Sequence, residues 1–168
     1  MKLSFLLLFA LPVFVQAQDS TKLNCKLTTE VDPFTKEKKI STGFIRLDGA
    51  DVTIDATKTD IDFLFSIQGA DRCYDNNSSA FIFFEGTKVK LTAKNAGSMN
   101  CEGLFHFTFK NSVNPVSLLI KLSTQKVSHI LFTGNNKKEA DIILTPNDQQ
   151  SFMNQAACLL AEAKTLLQ

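Results

Sequence analysis

Four cysteines, Cys25, Cys73, Cys101 and Cys158, are the residues of this chain best suited to covalent chemistry. Four thiols can close two disulfides in three ways, stay free and buried, or hold a metal. A structural zinc site draws on closely spaced Cys and His. The chain has no CxxC, and its only histidines are His106 and His129. Disulfides are therefore the expected use of the thiols. If the chain is a hydrolase, His106 or His129 is the expected general base, with a Ser or Cys nucleophile met in space. Yet there is no GxSxG, no HExxH and no glycine-rich phosphate loop. Both histidines read as strand residues, His106 on the face of Leu104 and Thr108, His129 on the face of Val127 and Leu131. Asp60 and Asp62 share one strand face, and Asp71, Asp75, Asn76 and Asn77 crowd one loop. Either oxygen set could attract a hard cation. The loop lacks EF-hand spacing, and the strand pair reads as a solvated edge. No catalytic, cofactor-binding or metal residue is assigned on these grounds.

A β framework must position these groups. Ala80 to Phe84 is an unbroken apolar run, the pattern of a strand covered on both faces. Glu85-Gly86 supplies a turn. Thr87 to Lys94 then alternates, with Val89, Leu91 and Ala93 opposed to Lys88, Lys90, Thr92 and Lys94. The chain is expected to be organised around this hairpin. Counting outward from its turn brings Cys73 and Cys101 together near the open end, which makes them the preferred bridge. Cys25 and Cys158 remain, and would tie the first strand to the last helix.

Further strands are predicted at Lys22–Val31, Ile40–Leu47, Asp51–Ala56, Ile61–Ile67, Phe105–Lys110, Leu118–Leu122, Val127–Thr133 and Ala140–Leu144. Gly43 is placed for a bulge. The clearest inward stripe is Ile61, Phe63, Phe65 and Ile67. Thr145-Pro146-Asn147-Asp148 reads as a cap, a Pro at the first helical position and an acid near the start. Phe152, Ala156, Leu159, Leu160, Ala163, Leu166 and Leu167 then share one face of a helix over 146–167. The expected fold class is mainly β (α+β): an antiparallel sheet or sandwich of about 8–10 strands with one C-terminal helix packed on it.

Met1 to Ala17 has Lys2, an apolar run from Leu3 to Val15, and Val15 and Ala17 before Gln18. That is the pattern of a secretory leader. The expectation is residues 1–17 as signal peptide and 18–168 as one exported domain, secreted or periplasmic, not inserted in a membrane. Lys and Arg number 18 against 17 Asp and Glu. This balance gives no electrostatic footprint for nucleic acid. Phe dominates the aromatics at 15, beside one Tyr and no Trp. Rings without a polar handle suit a dry core better than a sugar-stacking platform.

The stretch Glu30-Val-Asp-Pro-Phe-Thr-Lys-Glu-Lys-Lys-Ile resembles a motif near the N-terminus of many short exported proteins of Bacteroidetes-type bacteria, where an acidic-x-Phe-Thr turn joins the first two strands. The chain is also similar to them in Asn100-Cys-Glu-Gly103 and in a C-terminal helix with the pair Cys158-Leu159. That family has no assigned activity, so the resemblance implies a fold and a compartment and no reaction. The leading expectation is a monomeric, non-catalytic exported domain, without a cofactor, that binds a protein or small ligand or serves structurally at the envelope. The alternatives are a small hydrolase working through a strand histidine and a carrier of apolar ligands with a Phe-lined cavity.

Overall fold

The computed structural model describes residues 25–168, so the leader expected at 1–17 lies outside them. Nine strands form two antiparallel sheets. They are β1 (Thr28–Val31), β2 (Lys38–Leu47), β3 (Ala50–Ala56), β4 (Asp60–Ile67), β5 (Ser79–Phe84), β6 (Lys90–Lys94), β7 (Leu104–Lys110), β8 (Val127–Thr133) and β9 (Glu139–Ile143). The five-stranded sheet runs β1-β2-β3-β4-β7 and the four-stranded sheet β6-β5-β8-β9. Helix α1 (Ser117–Thr124) precedes β8, and α2 (Pro146–Ala163) follows β9 and ends in a 3₁₀ turn, Lys164–Leu167.

Alternation decides which way each sheet faces. Val52 and Ile54 of β3, Phe63 and Phe65 of β4, and Phe105 and Phe107 of β7 are buried on one inner face. Ile82 of β5, Ile130 and Phe132 of β8, and Ile142 of β9 are buried on the other. The faces meet at Phe132, whose ring centroid lies 5.3 Å from Phe65, 5.1 Å from Phe105 and 6.0 Å from Phe107. Helix α2 completes this core, with Phe152 6.0 Å from Phe63 and 6.3 Å from Phe65. The space between the sheets and the helix is filled ring against ring.

The start of α2 follows from its cap. The Thr145 side chain accepts the Asp148 N–H, and Asp148 accepts the Thr145 N–H in return. Phe152, Ala156, Leu159 and Ala163 are buried on the helix, as the apolar stripe requires, and Leu166 continues it into the 3₁₀ turn. The bulge falls at the expected place. Gly43 has φ +66°, and the β2–β3 register shifts between Ser41 and Phe44.

Four local expectations are corrected. Leu118–Leu122 is helical, within α1, because Leu119, Leu122 and Ser123 bury one helical face; α1 packs on α2. A short apolar run does not declare its period. The first strand is shorter, Thr28–Val31, and all four residues are exposed. The hairpin turn is longer than Glu85-Gly86: β5 pairs β6 from Ser79↔Lys94 to Phe83↔Lys90, leaving six residues between the last paired positions. Finally, β5 is covered on one face alone. Ala80, Ile82 and Phe84 are buried, but Phe81 and Phe83 stay partly exposed. Among the described residues no helix is long and apolar enough to cross a membrane.

Candidate functional site

Strands β4 and β7 pair directly, and this registers Asp62 with Thr108 and Leu64 with His106 on the outer face of the five-stranded sheet. Asp62 Oδ2 lies 2.8 Å from His106 Nδ1, and Asp62 Oδ1 accepts the Thr108 hydroxyl at 2.6 Å. The hydrogen bond that His106 donates to the Asp62 carboxylate raises the His106 pKa above its ordinary value; partial burial opposes it and loses. Gly97 lies over the ring, where an added Cβ would stand 2.6 Å from His106 Cδ2. Asn95 Oδ1 accepts the backbone N–H groups of His106 at 2.8 Å and Gly97 at 3.2 Å. On the other side of Asp62, Asp55 faces it across β3–β4. Asp55 is paired with Lys39 at 2.9 Å. Two opposed carboxylates, costly alone, thus each have a cationic or titratable partner on the outer flank.

A histidine held by a carboxylate is part of a nucleophilic triad. The third part would be a hydroxyl or thiol at His106 Nε2. Among the described residues no hydroxyl bonds there. Thr108 gives its proton to Asp62 instead, and all four sulfurs are in bridges. His129 sits on the other sheet, stacked on Phe83 at 4.0 Å with 12° between the planes, its Nδ1 3.2 Å from Ser128 Oγ. The two histidines therefore do not share a site.

The oxygen-rich groups also separate. Asp60 accepts the neighbouring Thr59 hydroxyl at 2.7 Å and does not join Asp62. Asp71 is paired with Lys138, whose ammonium holds its carboxyl below the usual range. Asp75 Oδ1 is occupied by its own turn, accepting from Asn77 N, Ser78 N and Ser78 Oγ at 2.9–3.0 Å. Among the described residues no three His, Cys, Asp or Glu side chains converge.

The bridges are Cys73–Cys101 and Cys25–Cys158, the pairing expected. Tyr74 pairs with Asn100 as an isolated antiparallel bridge, so Cys73 and Cys101 continue that pairing by one residue. The Asn-Cys-x-Gly segment has a structural explanation. Asn100 Oδ1 accepts the Leu104 N–H at 3.0 Å and its Nδ2 donates to Leu104 O at 2.9 Å. Gly103, at φ +81°, lies so close to Ile67 O that a Cβ would stand 2.2 Å from it. The acidic turn is equally explicit: Asp32 Oδ1 accepts the N–H of Phe34 at 2.8 Å and of Thr35 at 2.7 Å. Phe34 itself projects into solvent at 91% exposure. Beside it a hollow of about 370 Å³ is lined by Glu30, Val31, Asp32, Pro33, Lys39 and Thr57. Neither histidine lines it.

The outer face of the four-stranded sheet is the part that sequence reasoning missed. Register places Lys90, Phe83, His129 and Ile143 in one cross-strand row, and Thr92, Phe81, Leu131 and Asp141 in the next. Phe81, Phe83 and Leu131 are partly exposed, and Ile143 is 66% exposed. The signal was present in the apolar run Ala80–Phe84, which asks for cover on both faces. A scan of protein-family models and searches of curated proteins and of solved structures matched nothing.

Proposed function

We propose that this chain is an exported, non-catalytic binding domain that engages a protein through the outer face of its four-stranded sheet. One observation carries the reading: Phe81, Phe83, Leu131 and Ile143 form a contiguous apolar face on one sheet, whereas the more exposed rings Phe34 and Phe44 lie elsewhere, in the β1–β2 turn and on β2. The face is rigid. It belongs to paired strands backed by the Phe core, so little order must be gained on binding. Two formed disulfides place folding in an oxidising compartment. The leader pattern at 1–17 and the likeness to short exported Bacteroidetes-type proteins support secretion or a periplasmic address.

A site-specific photo-crosslink tests the face. Leu131 on this face, or Ser66 on the outer face of the other sheet, is replaced by benzoylphenylalanine in cells producing the protein. Protein adducts are expected from position 131 and none from position 66. Adducts from position 66 alone, or from neither, would overturn the reading.

A further inference from the structure

We propose that the outer face of the four-stranded sheet docks a second copy of this chain, across a two-fold axis that lies between the two faces and runs parallel to the strands. The inference rests on the binding face argued above and names its occupant. The argument is one of charge and symmetry. The lysines of this face are on one edge: Lys90 and Lys94 of β6 register with Phe83 and Ser79 of β5, so they point outward with them. Lys90 Nζ stands 4.1 Å from the Phe81 ring centroid, which confirms the side. The acids are on the opposite edge: Asp141 and Glu139 of β9 register with Leu131 and Thr133 of β8. Between the edges lie Phe81, Phe83, His129 and Leu131. The face is thus cationic along one side, apolar in the middle and anionic along the other.

Such a face is complementary to itself under one two-fold and not the other. An axis in the plane but across the strands sets β6 on β6 and β9 on β9, lysine against lysine and acid against acid. An axis along the strands sets β6 of one copy over β9 of the other and β5 over β8. Lys94 then faces Glu139, Phe81 faces Leu131 and Phe83 faces His129, each contact occurring twice, as an isologous interface requires. Face-to-face sheets pack about 10 Å apart with strands nearly aligned, which this axis permits. It also gives the run Ala80–Phe84 the second cover that its composition asks for. Four strands of five residues measure roughly 19 Å by 17 Å. Two such faces bury less than the ~1,200 Å² of a standard interface. The expected monomer accordingly gives way to a reversible pair.

Sedimentation equilibrium tests this on protein expressed from the full chain and purified as the cell delivers it, from about 5 µM to about 1 mM. The expected result is a monomer–dimer equilibrium with Kd on the order of 100 µM. Phe83→Ser abolishes it. Lys94→Glu and Glu139→Lys each weaken it roughly tenfold, because like charges then meet twice across the axis. The double variant Lys94→Glu/Glu139→Lys restores opposite signs and returns Kd to within about threefold of the parent. Both positions are exposed, so the fold tolerates all three variants, and matching circular dichroism verifies that. A monomer at every concentration overturns the pair, as does a double variant no better than the singles, or a dimer indifferent to Phe83→Ser. If the crosslink from position 131 captures other proteins and never a second copy, the pair is rejected while the binding face stands.

Discussion

His106 owes its behaviour to one neighbour. The Asp62 carboxylate stabilises the imidazolium, so the folded pKa lies above that of the unfolded chain. The sign of the linkage follows. The stabilisation is fully present below the unfolded value near 6.5 and is lost as pH rises through the folded value. Asp62→Asn should return the His106 titration, followed by NMR, to the ordinary range. It should also remove about 0.5 kcal/mol of stability at pH 6 and nearly nothing at pH 9, the scale of a half-exposed ion pair. A His106 that titrates unchanged in Asp62→Asn would refute the assignment. Both residues were legible as strand positions, Asp62 on its Asp60 face and His106 on its Leu104–Thr108 face. Their meeting was not, because β4 pairs β7 across the intervening β5–β6 hairpin. Forty-four residues separate the partners, and no local spacing records the contact.

At the scale of elements, strong periodicity was legible and short runs were not. The α2 stripe, its capping box and the Gly43 bulge follow from residue types whose roles are local. The run around Leu118–Leu122 carries no such marker. Val116 provides no side-chain cap for α1, and tertiary packing against α2 makes the choice of helix. The run Ala80–Phe84 was informative in a different way, since it described a burial that one copy of the chain only half supplies. Within the core, Phe152 is the single ring that α2 sets among Phe63 and Phe65. Phe152→Ala should cost about 3–5 kcal/mol in urea unfolding. Amide exchange should accelerate throughout α2 and in α1, which packs on it, before it does so in β3 and β4. Uniform acceleration across both sheets would show that the helix is not a separate layer of stability.

The whole molecule is held by two crosslinks of different reach. Cys73–Cys101 closes 28 residues and Cys25–Cys158 closes 133. On the chain-entropy account the longer loop contributes more, about 5 kcal/mol against about 3.6. Replacing Cys25 with Ser and Cys158 with Ala should therefore destabilise more than replacing Cys73 and Cys101 with Ser, measured by denaturant midpoint. Alanine is chosen at 158 because Cys158 is only 3% exposed, and a serine hydroxyl there would need a partner. The reverse ranking would mean that the short bridge acts on the native state. It is placed to do so: Cys73 lies on the passage from β4 to β5 and Cys101 on the passage from β6 to β7, so one bond fastens two of the three crossings between the sheets.

The longer bridge has a mechanical consequence. A pull applied to the segments outside Cys25 and Cys158 travels from sulfur to sulfur. Among the described residues every strand ladder lies inside the closed loop and carries none of the load, so on that side stretching uncoils the last turns of α2 and the 3₁₀ turn while both sheets stay slack and intact.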